Sequence, residues 1–124
     1  MPEFWKQYAS IEAALKLKPD EFIKNTSVRE RAITGIKGLA ELINKRGEEL
    51  LKRRGISNEL GLPAALSSLR VINGPVADEL SELLELESNI ERADIALVYS
   101  NLVRFMEVFE EVYLAIEESL TENK

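Results

Sequence analysis

The sequence contains no cysteine and no histidine. The first absence removes disulfides, thiolate metal sites and cysteine nucleophiles. The second removes imidazole metal ligands, Ser-His triads, Glu-x-x-His di-iron sites and histidine-dependent nuclease chemistry. No apolar run approaches the roughly 18 to 20 residues needed to cross a bilayer. The start, Met1-Pro2-Glu3-Phe4-Trp5-Lys6, lacks the basic-then-apolar layout of a signal peptide, so a cytoplasmic setting with no membrane association is expected.

What is present suits one globular domain spanning 1–124. A chain of 124 residues with 45% hydrophobic content buries about two-thirds of its unfolded surface and needs no metal or disulfide to fold. Charged residues make up 31%, a thermophile-like balance. The formal charge of −6 hides an asymmetry. Residues 1–74 carry 13 Lys and Arg against 9 Asp and Glu, a net of +4, whereas residues 75–124 carry 3 against 13, a net of −10. The acidic half is apolar and periodic rather than tail-like, so the two halves are expected to pack against each other, within a chain or across a dimer.

Phe4, Tyr8, Ile11 and Leu15 recur at helical spacing, with Trp5 beside them, and predict a helix from Pro2 or Glu3 to Leu17. Lys18-Pro19-Asp20 breaks it, and Phe22 and Ile23 follow as a short turn docking on the core. Ser27-x-x-Glu30 reads as a capping box opening a second helix. Ala32, Ile36, Leu39, Ile43 and Leu50 form its stripe, flanked by Ile33, Ala40 and Leu51. Gly47 lies on that stripe, where a neighbouring helix is expected to approach closely. Lys52-Arg53-Arg54-Gly55 closes it, with cations at the negative end of the helix dipole and glycine as the cap. A short helix is predicted over Pro63–Ile72, and Asn73-Gly74-Pro75 stops it. From Val76 to Leu120 the sequence reads as one long helix at the centre of the packing, with Ser88-x-x-Glu91 marking a break and restart. No alternating strand pattern occurs. The expected fold is all-α, a four- or five-helix antiparallel bundle with a long C-terminal helix.

Projected as one helix, residues 76–120 place Glu87, Glu91 and Asp94 on the same side as Val76, Leu80, Leu83, Leu84, Val98, Leu102, Phe105 and Phe109, with Asn101 close by. Unpaired buried carboxylates are costly. Three arrangements relieve them: a helix break that returns them to water or to a helix N-terminus, an ion-pair network with Arg29, Arg54 or Arg70, or a Mg²⁺ or Mn²⁺ ion held by carboxylates and water. Glu79-x-x-Glu82 and Glu91-x-x-Asp94 resemble the E-x-x-E and E-x-x-D motifs of the all-helical nucleotide pyrophosphohydrolases of the MazG kind. That resemblance implies a Mg-dependent binder or hydrolase of phosphorylated ligands. It covers about sixteen residues, and the two pairs are eight residues apart, too close for motifs on separate helices.

Two further patterns bear on function. Ile56 to Arg70 has the outline of a helix-turn-helix around Gly61, but Ser67 and Arg70 occupy positions that should be apolar, and its outer side offers mostly Ala and Ser, poor readers of base edges. Lys45-Arg46 and Lys52-Arg53-Arg54 are interleaved with Glu41, Glu48 and Glu49, so nucleic-acid binding is not expected. Between Ile90 and Ile116 apolar residues cover an arc of about 200°, wider than the roughly 100° stripe of a surface helix, and Val103 and Leu114 fall outside even that arc. The expected function is a non-catalytic helical interaction or assembly module, a homodimer using the C-terminal helix with Val103 and Leu114 at the interface.

Overall fold

In a computed structural model that describes residues 2–122, the periodic segments become seven helices. They are α1 (Pro2–Leu15), α2 (Pro19–Lys24), α3 (Thr26–Arg54), α4 (Leu62–Ser68), α5 (Gly74–Ser88), α6 (Ile95–Ser100) and α7 (Leu102–Glu122). Among the described residues there is no strand, and no helix is long and apolar enough to cross a membrane. The all-α bundle is as expected: α1, α3, α5 and α7 are its long members, and α2, α4 and α6 lie in the connections.

Contacts fix the directions of the long helices. Gly35 of α3 faces Ser10 and Ile11 of α1 while Gly38 faces Gln7, so α1 and α3 are antiparallel. Tyr113 stacks on Phe4 with ring centroids 4.3 Å apart, and Glu110 accepts a hydrogen bond from Tyr8 at 3.4 Å. Helix α7 is therefore also antiparallel to α1. Arg46 reaches Glu117 and Arg53 reaches the Leu120 carbonyl, so α3 and α7 run the same way and touch directly. Helix α5 follows α4, which packs Leu62 on Gly47, and ends with Glu87 beside Lys37 and Glu41. It runs back along α3.

The helix at the centre is α3, not the C-terminal segment. It packs against α1, α2, α4, α5 and α7, and buries Ala32, Gly35, Ile36, Leu39, Ala40, Ile43, Gly47, Leu50 and Leu51. Close approach at Gly47 is real: a Cβ there would lie 2.7 Å from Leu62 Cδ1. Gly35 is tighter in kind, because its Cβ would lie 2.8 Å from the Gln7 backbone oxygen, which cannot rotate away.

Several boundaries differ from the sequence expectation. Asn25, rather than Ser27, caps α3, its Oδ1 accepting the Val28 N–H at 3.1 Å. Phe22 is buried as expected, whereas Ile23 is exposed. Helix α4 stops at Ser68 because Arg70 takes a left-handed conformation (φ 62°) and the Val71 N–H turns back to Leu66 O at 3.0 Å. Asn73 then starts α5, its Oδ1 accepting from Val76 N–H at 2.8 Å.

Residues 76–120 are three helices: the break expected near Ser88-Asn89 is present, and a second break was not expected. Ser88 Oγ and Asn89 Nδ2 both donate to the Glu85 carbonyl, at 2.7 and 3.1 Å, competing with the next turn of helix. Ile90 is buried and anchors the turn. Asp94, not Ser88, caps the restart, accepting the Ala96 N–H at 2.9 Å. A second break falls at Asn101, whose Nδ2 donates to Leu97 O at 2.9 Å before α7 begins.

Candidate functional site

The break after α5 separates the three acidic residues that a continuous helix would align. Asp94 is occupied as the cap of α6. Glu91 lies in the turn, 76% exposed, and forms an ion pair with Lys37 of α3 that holds its carboxyl below the usual range. Glu87, in the last turn of α5, is half-buried. Loss of water raises its carboxyl, Glu41 adds to that rise, and Lys37 opposes it. Glu87 and Glu91 thus share an open cleft of about 530 Å³ with Lys37, Glu41, Ser88 and Arg92, while Asp94 is not among its lining residues. Among the described residues no three acidic side chains converge closely enough to hold a metal ion.

The arginines considered from sequence do not enter this cleft. Arg29 donates to the Ile23 carbonyl, and neither Arg54 nor Arg70 forms an ion pair among the described residues. The cation that sequence reasoning missed is Lys37. Its i,i+4 spacing to Glu41 was visible, but nothing in one dimension places it beside a turn more than fifty residues later. Glu79 and Glu82 both lie on α5, and Glu82 pairs with Arg104 of α7 at 2.8 Å. Residues 56–61 contain no helix, so the segment around Gly61 is not a helix-turn-helix.

The second candidate surface is the outer side of α7. Its inner side buries Leu102, Phe105, Met106, Val108, Phe109, Val112, Tyr113, Ile116 and Leu120. Val103 and Leu114 remain 48% and 41% exposed. At 100° per residue they differ by only about 20° in direction, and at 1.5 Å per residue they are about 16 Å apart along the helix. Glu107, Glu110 and Glu111 lie between them in the chain. None of these three forms an ion pair among the described residues.

Helix α1 extends this surface. Gln7 faces α3 and Tyr8 faces Glu110, so rotation in that sense moves from α3 toward α7. Trp5 comes next in the same sense, on the flank that adjoins the outer side of α7. It is 38% exposed, with its ring edge-on to Phe4 and Tyr8 at 5.0 and 5.2 Å. The Tyr8 hydroxyl is raised, first by burial and then by Glu110, which keeps it a neutral donor. The result is a face with three half-exposed apolar side chains among carboxylates. Val103 and Leu114 are legible from helical periodicity, whereas the same periodicity shows Trp5 only as a neighbour of the α1 stripe.

No protein-family model, no curated protein and no solved structure matches this chain.

Proposed function

We propose that the protein is a non-catalytic helical interaction module that assembles with a second copy of itself through the outer face of α7, in its simplest form as a homodimer. The observation that carries this reading is the division of α7. One side is fully engaged in the core, and the other leaves Val103 and Leu114 half-exposed, as Trp5 is on the neighbouring α1. Val103 and Leu114 are two of the exposed large apolar side chains, and Trp5 is the molecule's single tryptophan. Trp and Tyr favour the centres of protein interfaces because they bury much surface for few rotatable bonds. The charged, cysteine-free composition supports a cytoplasmic setting, and its richness in Glu, Lys and Arg fits a thermophilic source.

Light scattering coupled to size exclusion tests the proposal. The 14.0 kDa chain is expected to show a concentration-dependent mass above that of the monomer, and Val103→Glu or Leu114→Lys is expected to return it to monomer. A wild-type protein that stays at monomer mass up to millimolar concentration contradicts the proposal.

A further inference from the structure

We infer that the surface received by the α1–α7 face is the connection between α3 and α4 on the second copy, so that the protein assembles head-to-tail. This rests on the self-association proposed above and specifies which surface the second copy presents.

The two surfaces complement each other in three ways. The first is shape. Val103 and Leu114 on α7 and Trp5 on α1 are half-exposed on the convex surfaces of helices, whereas Ile56, Leu60, Ala64 and Ala65 line a depression of about 300 Å³ beside α4. The second is apolarity. Leu60 is 88% exposed, more than any other large apolar side chain described, and little among the described residues covers it. The third is charge. Glu107, Glu110 and Glu111 on α7 have no cation within ion-pair reach among the described residues. Lys52 and Arg54, at the end of α3 leading into Ile56, have no carboxylate within ion-pair reach among the described residues. Glu59 is the one acidic residue lining the depression, and Glu48 nearby is engaged by Asn58 Nδ2 at 3.4 Å.

A two-fold pairing of the outer face of α7 with itself is opposed by the same charges, because it brings Glu107, Glu110 and Glu111 of one copy against those of the other. An apolar knob and a pocket at separate places on one molecule instead make a heterologous contact, which grows into a ring or an open chain unless one of its two surfaces is removed.

That property supplies the test. Leu114→Lys removes the knob and Leu60→Asp removes the pocket, both at exposed positions, and thermal unfolding by circular dichroism checks that each variant keeps the fold. Sedimentation velocity is then run on wild type, on each variant and on their equimolar mixture. Head-to-tail assembly predicts wild-type species larger than a dimer at high concentration, and each variant monomeric alone. The mixture recovers a dimer of one of each and nothing larger, because only one intact knob and one intact pocket remain. Raising salt from 50 to 500 mM is expected to weaken wild-type association at least several-fold. The inference is overturned, with self-association through α7 still standing, if Leu60→Asp associates like wild type, if the mixture yields no heterodimer, or if salt strengthens association. A wild-type chain that is monomeric throughout overturns both.

Discussion

Asn25 and Ser27 are both good cap residues two positions apart, and only the first accepts a backbone N–H. Ser27 instead accepts from Arg31 on the helix surface, at 3.0 Å. The same contrast recurs at Ser88 and Asp94. The capping-box spacing was legible in the sequence, but which of several neighbouring oxygens takes the role depends on where the chain is extended, and that is set by the packing of Phe22 and Ile90. Asn25→Ala and Asp94→Ala are each expected to lower stability by about 1 kcal/mol. Ser27→Ala is expected to stay within about 0.5 kcal/mol of wild type, and urea unfolding separates the two outcomes. Glu87 gives a pH-dependent counterpart. Burial raises its carboxyl above the usual 4.5, so the folded state disfavours its charged form. That cost is absent below the unfolded value and complete once pH rises through the raised one. Glu87→Gln is therefore expected to stabilise the protein at pH 7 and to lose that gain near pH 4. Solvent screening at a half-exposed site keeps the effect within about 0.5 kcal/mol. Thermal melts at the two pH values measure it, and an equal gain at both contradicts burial as the cause.

The helices themselves were readable wherever a stripe met a single partner. In α3 every residue of the predicted stripe is buried, and Gly55 closes the helix in the left-handed conformation (φ 66°) expected of a glycine cap. Residues 76–120 were less readable, because the apolar pattern continues in nearly the same phase across two breaks. What marked the breaks was the set of polar residues out of place on that pattern, from Glu87 to Asp94 and at Asn101, which the continuous projection turned into a cluster. The three glycines of α3 also look alike in sequence and differ in what they face. Gly35→Ala meets the Gln7 carbonyl of α1 and is expected to cost about 1–3 kcal/mol despite the better helix propensity of alanine. Gly38→Ala meets the Gln7 side chain, which can rotate. It is expected to be near neutral or stabilising by up to about 1 kcal/mol. Denaturation midpoints of the two variants check the difference, and equal destabilisation contradicts the close α1–α3 approach at Gly35.

At the scale of the molecule, the basic and acidic parts of the sequence do meet, though sparingly. Arg46 binds Glu117 through two hydrogen bonds of 2.5 and 2.9 Å, and Lys37 binds Glu91, joining α3 to the C-terminal half. Glu117 in turn raises the Arg46 guanidinium, strengthening its hold on the proton. This pairing leaves Glu107, Glu110 and Glu111 of α7 without an ion pair among the described residues, on the same side as Val103 and Leu114. The exposed apolar pair could be read from periodicity, whereas the contribution of α1 could not, since it depends on the antiparallel docking fixed by Phe4 and Tyr113. Self-association through this face is decided by sedimentation velocity over a concentration series of wild type and Leu114→Lys. The sedimentation coefficient is expected to rise with concentration for wild type and to stay at the 14.0 kDa monomer value for the variant. A wild-type coefficient that does not move, or a variant that associates as strongly as wild type, would contradict it.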